Sequence, residues 1–187
     1  PKWGQTTNGL RCALSLEPQS LLVGEAVVIQ VKFENTTDRP LGLYYQPGEL
    51  TENIAIDNGA GQTLQVDASS GSGSGVGGRV GRPFKRIAPG QVLETEIEGK
   101  VVSGSGQAAF AAGRFNAVYH LDVNETTLAQ VQPRPAQSLW TGKLSSGTFV
   151  LDVAAPPPTG CVDCHGAGDH HHKENQKCEE CHAGDIG

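Results

Sequence analysis

Apolar and polar residues alternate along most of the first 153 positions. Leu10, Cys12, Leu14 and Leu16 alternate with Arg11, Ala13 and Ser15. Val27, Ile29, Val31 and Phe33 alternate with Val28, Gln30, Lys32 and Glu34. The same beat returns at Leu93, Thr95 and Ile97, at Phe115, Ala117, Tyr119, Leu121 and Val123, and at Phe149, Leu151 and Val153. A period of two means that one face of a strand packs and the other stays wet. Shorter strands are expected over Leu41–Tyr45, Ile54–Ile56, Leu64–Val66 and Leu139–Leu144. Turn residues separate them, as in Thr36-Thr37-Asp38, Gln46-Pro47-Gly48, Asp57-Asn58-Gly59, Pro89-Gly90 and Ser145-Ser146-Gly147. No stretch carries a helical period with caps. Many short strands with regular turns predict an all-β domain, a β-sandwich, over residues 1–153.

Ala154-Ala155-Pro156-Pro157-Pro158 then breaks the pattern, and three prolines favour a stiff, extended connector over 154–160. Beyond it, residues 161–187 hold almost no aliphatic or aromatic side chain, so this short, irregular segment has no core of its own making. Two stretches inside the β-region, Ser69–Gly78 and Ser103–Gly106, are Gly/Ser-rich and are expected to form loops.

Composition narrows the function. The formal charge is −6 and no basic run occurs, which speaks against a nucleic-acid partner. No apolar run approaches the roughly 18 residues of a membrane helix, so no transmembrane segment is expected. The chain has no methionine, and a removed signal peptide would explain that. Abundant Gly, Ser/Thr-rich loops and only 18% charged residues suit an exported β-protein. Asn35-Thr36-Thr37 and Asn124-Glu125-Thr126 fit the N-glycosylation acceptor pattern, a triplet that chance supplies often.

Four of the five cysteines lie beyond the connector, in Cys161-Val162-Asp163-Cys164-His165 and Cys178-Glu179-Glu180-Cys181-His182. Each is a CxxCH motif, the signature of c-type haem attachment. Two thiols separated by two residues reach the two vinyl groups of one porphyrin, and the next histidine places its imidazole under the iron. His165 and His182 are therefore the proximal ligands of two haem c groups. The alternative is a zinc site made by the four cysteines, since CxxC…CxxC is also a zinc pattern. Here the spacer between Cys164 and Cys178 is slightly short for a zinc ribbon. With His at 6 of 187 positions, both motifs ending in His by accident has odds of roughly one in a thousand. Haem also solves the ordering problem, because two apolar macrocycles supply the core that the segment lacks.

Methionine cannot be a distal ligand where none exists, which leaves His120, His170, His171 and His172. The run His170-His171-His172 lies midway between the motifs. The segment resembles the multihaem cytochromes c, including the small tetrahaem type, in which adjacent histidines ligate two different haems. That resemblance implies that two of His170, His171 and His172 bind the two irons. His120 sits on the outward face of its strand, a surface residue by default and a distal ligand to a neighbouring copy's haem as the alternative. Histidine on both sides implies low-spin iron of low potential with no open position, hence electron transfer and not catalysis. Cys12 alternates with Leu10 and Leu14 and is expected to be a buried small residue. Trp3 and Trp140 are expected to pack.

The stretch Leu14–Phe33, with a turn over Ser20–Glu25, and Ile87-Ala88-Pro89-Gly90 before the Leu93 strand resemble bacterial immunoglobulin-like domains. This implies a fold over 10–153 and nothing more. A sandwich joined to a short haem strip resembles the subunits of extracellular cytochrome filaments. The resemblance implies a low-potential, non-enzymatic dihaem cytochrome, extracellular or at the cell surface. Its implied partners are copies of itself and redox proteins or extracellular electron acceptors. A periplasmic shuttle, soluble or docked, is the second expectation. A non-redox adhesion module with a zinc knot is the third.

Overall fold

The computed structural model describes residues 2–44, 50–67, 84–104, 112–129 and 139–154. The chain divides into two units, Pro1–Ala154 and Ala155–Gly187. The described residues all belong to the first. They are almost entirely β, as the alternation predicts. In order the elements are β1 (Lys2–Trp3), β2 (Leu10–Glu17), β3 (Ser20–Leu22), β4 (Ala26–Asn35), β5 (Leu41–Tyr44), β6 (Ile54–Asp57) and β7 (Thr63–Asp67). They continue with β8 (Phe84–Ile87), β9 (Val92–Ser103), β10 (Gly113–Val123), α1 (Glu125–Ala129), β11 (Gly142–Ser145) and β12 (Phe149–Ala154).

The pairing is more continuous than two separate sheets. One ten-stranded sheet runs β1-β2-β4-β9-β7-β6-β10-β12-β3, with β11 also paired to β10, while β5 and β8 form a two-stranded ribbon. The long β9 makes the continuity. It pairs with β4 as far as Lys100 and with β7 from Lys100 to Ser103. The sheet curls into a half-barrel, so strands far apart in the pairing order face each other across the core. The Phe33 ring on β4 meets the Tyr119 ring on β10 edge to face, with centroids 5.8 Å apart. Three strands separate β4 from β10 along the sheet.

The alternation sets the register of the core. Val27, Ile29, Val31 and Phe33 of β4 are buried, and so are Phe115, Ala117, Tyr119, Leu121 and Val123 of β10. A one-residue slip would turn either set to solvent, so burial pins the pairing. On the wet face of β2, β4 and β9 the cross-strand neighbours are oppositely charged or polar. Arg11 pairs with Glu34 at 2.7 Å and Lys32 with Glu94 at 2.9 Å, and Gln30 donates to Glu96 at 3.0 Å.

Several local expectations are corrected. Ala13, on the outward beat of β2, is fully buried because β1 pairs there and sets Trp3 opposite it. The inward residues Leu93, Thr95 and Ile97 of β9 are only half-buried. Ser20–Leu22, expected as part of a turn, is a strand lying parallel to β12. The turn follows it. Gly24 takes a φ of 86°, and the backbone N–H of Leu22 donates to the Glu25 carboxylate at 2.8 Å. Helix α1 arises where the sequence shows no helical period, since one short turn is too brief to display one. The segment at Leu139 makes a single bridge to Gly42, and its strand starts only at Gly142. Strands β1 and β8 carry no alternation that would announce them.

The N-terminal residues join β2 to the turn after β11. The Gly4 N–H donates to the Cys12 carbonyl at 2.8 Å, and the Gly147 N–H donates to the Lys2 carbonyl at 3.1 Å. Gly4 lies so close to the turn after β11 that a methyl group there would collide with the Ser145 carbonyl.

Candidate functional site

The haem-motif residues Cys161, Cys164, His165, Cys178, Cys181 and His182 lie outside the described residues, as do His170, His171 and His172. So does the connector beyond Ala154, which is itself the last residue of β12. Their donor chemistry is that of the sequence: four thiols in two CxxC pairs and five imidazoles, all between Cys161 and His182. That set suits two c-type haems, with two thioethers and a proximal imidazole for each.

His120 is the one predicted site residue on the described unit. It stands on β10, opposite Ser145 of β11, and its side chain is exposed as the alternation requires. Its Nδ1 lies 2.9 Å from the Ser145 hydroxyl. The hydroxyl can donate to Nδ1 or accept from it, so the tautomer follows the ring's other contact. Either way the bond fixes the ring through one nitrogen, the way a ligating histidine is commonly held by a second group. Two residues along the same strand Asp122 pairs with Lys143 at 3.0 Å. Among the described residues no group of three or more His, Cys, Asp or Glu side chains could hold a metal ion. No helix among them is long and apolar enough to cross a membrane.

Cys12 is fully buried between Leu10 and Leu14, as expected. Burial pushes its thiol up from the usual 9.0 to about 12. A thiol that resists ionisation is a poor nucleophile and a poor metal ligand. Trp140 is also buried, and its indole N–H donates to the Thr7 carbonyl at 3.0 Å. Trp3 carries the Arg11 guanidinium 4.8 Å from its ring centroid. All three side chains thus serve the fold.

Sequence reasoning missed the role of Asn35. It occupies the inward beat after Phe33 and is fully buried. Its amide donates to the Arg39 carbonyl at 2.8 Å and to the Ile87 carbonyl at 3.0 Å. Its oxygen accepts from the Thr37 N–H at 2.9 Å and the Thr37 hydroxyl at 2.7 Å. One side chain therefore ties the end of β4 to the following turn and to β8. A polar residue on an apolar beat, followed by two threonines, was the available signal.

A cleft of about 710 Å³ opens at the end of the sheet where β3, β12 and β10 meet. Leu21, Leu22, Gly113 and Val153 line it, with the Arg114–Asp152 pair (3.2 Å) at its side. Leu22 is one of two large apolar side chains exposed on the described surface. No protein-family model matches the chain, and no curated protein is similar to it.

Proposed function

We propose that the chain is a dihaem c-type cytochrome that carries electrons outside the cytoplasm. The paired CxxCH motifs carry this reading. Cys161 and Cys164 hold one haem through thioethers, and Cys178 and Cys181 hold the other. His165 and His182 bind the irons from the proximal side. Two of His170, His171 and His172 bind them from the distal side, because no methionine exists to do so. When bound, haem c supplies a one-electron iron couple. The residues around it would attach it covalently and offer each iron two imidazoles, which would leave no position for oxygen or peroxide. That suits a carrier and not a catalyst.

The division of the chain supports a scaffold role for the β unit. Its core, from Leu10 to Val153, is built from its own strands, whereas residues 161–187 offer only Val162 and Ile186 as larger aliphatic side chains. The β unit is read as immunoglobulin-like, the curled sheet standing for a sandwich whose two halves stay joined through β9 and β7. Beside a short haem strip, such a unit suits assembly of copies into an extracellular filament. The short spacer from His165 to Lys177 keeps the two haems of one chain near each other. His120, held by Ser145, is a surface residue by default and, in such an assembly, the alternative to one of His170, His171 and His172 as distal ligand to a neighbouring copy's haem.

The test is a reduced-minus-oxidised spectrum with a haem count on the protein matured in a periplasm that attaches haem c. Sharp reduced c-type bands and two haems per chain are expected. Stoichiometric zinc without those bands would overturn the haem reading. Electron microscopy and sedimentation of the same material test assembly. A strictly monomeric protein would return the function to a periplasmic shuttle.

A further inference from the structure

We infer that Asn124 is a modification site that accepts an N-linked oligosaccharide, and that Asn35, the other residue with the acceptor pattern, does not. The fold separates two triplets that look alike in sequence. Asn35 has no exposed surface, and both hydrogens of its amide are committed, to the Arg39 and Ile87 carbonyls. A glycan replaces one of those hydrogens and needs a path to solvent. At Asn35 it would break a buried bond and meet the core. Asn124 instead is exposed between the last residue of β10 and the first of α1, and Glu125 and Thr126 of its triplet, which begin that helix, are exposed as well.

The chemistry needs three accessible things: the asparagine amide, the threonine hydroxyl two residues on, and a backbone that can enter a transferase cleft. Asn124-Glu125-Thr126 places the first two on exposed residues. The third needs the single turn of α1 to open, where the Asn124 carbonyl accepts the Leu128 N–H at 3.1 Å, and a helix of five residues has little stability of its own. Its acceptor lies outside the ladder of β10, so binding breaks no sheet hydrogen bond. An acidic side chain two residues ahead gives an enzyme a further charged handle. Asp122 provides it here, held only by an exposed pair with Lys143, whereas Phe33 holds that place before Asn35. In the transfer, the Asn124 amide nitrogen bonds to the anomeric carbon of an oligosaccharide carried on a lipid diphosphate. The carbon–oxygen bond to the diphosphate breaks, the lipid diphosphate leaves, and the amide proton passes to a base of the transferase.

This inference is independent of the haem reading. Its test is expression of the full chain in a bacterial periplasm equipped with an oligosaccharyl transferase and its lipid-linked donor, beside an established acceptor protein as control. Intact-mass and peptide mapping of the folded protein should find one oligosaccharide per chain, on the peptide bearing Asn124. Asn124→Gln should abolish the mass increment and leave the circular dichroism spectrum unchanged. Bare Asn124 in cells where the control is modified would overturn the inference. So would a folded chain carrying the glycan on Asn35.

Discussion

Replacing Asn35 by alanine tests whether one buried amide organises the β4–β5 corner. Four hydrogen bonds converge on the side chain, two given to the Arg39 and Ile87 carbonyls and two accepted from Thr37. The Thr37 hydroxyl keeps an alternative acceptor in the Arg39 carbonyl, 2.8 Å away, so it recovers its bond in the variant. The count falls by three bonds, and the Ile87 carbonyl and the Thr37 N–H are left without an evident replacement inside the protein. A neutral hydrogen bond contributes about 1 kcal/mol net, and a buried partner left bare costs more. The Ile87 residue has no exposed surface, so water reaches its carbonyl poorly, while Thr37 and Arg39 lie nearer solvent.

The expected loss is therefore about 3 kcal/mol, a large part of the roughly 5–15 kcal/mol that holds an ordinary domain folded. Urea unfolding followed by far-ultraviolet circular dichroism measures it. With a slope of about 2 kcal/mol per molar urea, the midpoint should fall by about 1.5 M with the slope unchanged. Thr37→Val should cost less, because it keeps the backbone N–H bond to Asn35 and removes only the hydroxyl. A fall in the Asn35→Ala midpoint of under about 0.3 M would refute the reasoning, since that is the size of an ordinary surface change.

Two further outcomes are expected. Gly4→Ala puts a methyl group into the Ser145 carbonyl, so β1 must shift away from the turn after β11. Overpacking of this kind costs about 1–3 kcal/mol, read as a lower melting temperature, whereas Gly59→Ala, which meets no neighbouring atom within 4 Å, strains only its own backbone at a φ of 69°. In the haem segment, the double variant Cys161→Ala/Cys164→Ala should halve the haem content per chain by pyridine haemochrome assay and leave the second motif loaded. Complete loss of haem from that variant would mean that the two motifs do not act as separate attachment sites.

The parts of the fold written in local order were legible. The inward beats of β4 and β10 follow from side-chain spacing alone, and both sets are buried as their period requires. What escaped was set by distance along the chain. Strand β3 looked like a turn because Gly24 and Glu25 follow it directly. Its partner β12 is the last strand of the unit, and no local signal announces a parallel pairing with it. The continuity of the sheet escaped for the same reason. It depends on β9 changing partner at Lys100, whereas its alternation shows only that one face is half-buried. Asn35 was hidden by a competing pattern, since its triplet has the form of an acceptor for sugar and its true partners include Ile87, 52 positions on. The two CxxCH runs sit at the opposite pole. The haem attachment proposed for them would be wholly local, contained within each run, and draws on nothing in the described fold.

Cys12 shows how the fold bears on that chemistry. The proposed haem attachment would need four reduced thiols in the same chain as a fifth, and the oxidising compartment that reading implies would offer all of them to disulfide exchange. The attacking species is the thiolate. With its pKa raised by burial to about 12, Cys12 is ionised to about one part in 10⁴ at pH 8, against about one part in ten for an exposed thiol at the usual 9.0. Ionisation alone thus disfavours it by about three orders of magnitude, and burial adds the lack of access. When the haem-free chain is oxidised at pH 8 under native conditions, peptide mapping should find disulfides among Cys161, Cys164, Cys178 and Cys181 and Cys12 still reduced. In denaturant Cys12 should join the exchange. The same shift fixes a sign for alkaline stability. Well below pH 9 the thiol is neutral in both folded and unfolded chains and its contribution is complete. As pH rises from 9 towards 12 the unfolded chain ionises first, so stability falls by up to about 1.4 kcal/mol per unit. Cys12→Ala should remove that part of the alkaline slope. A native chain whose Cys12 oxidises as fast as the other four would show that β2 opens on the timescale of exchange, and the protection argued from its burial would then fail.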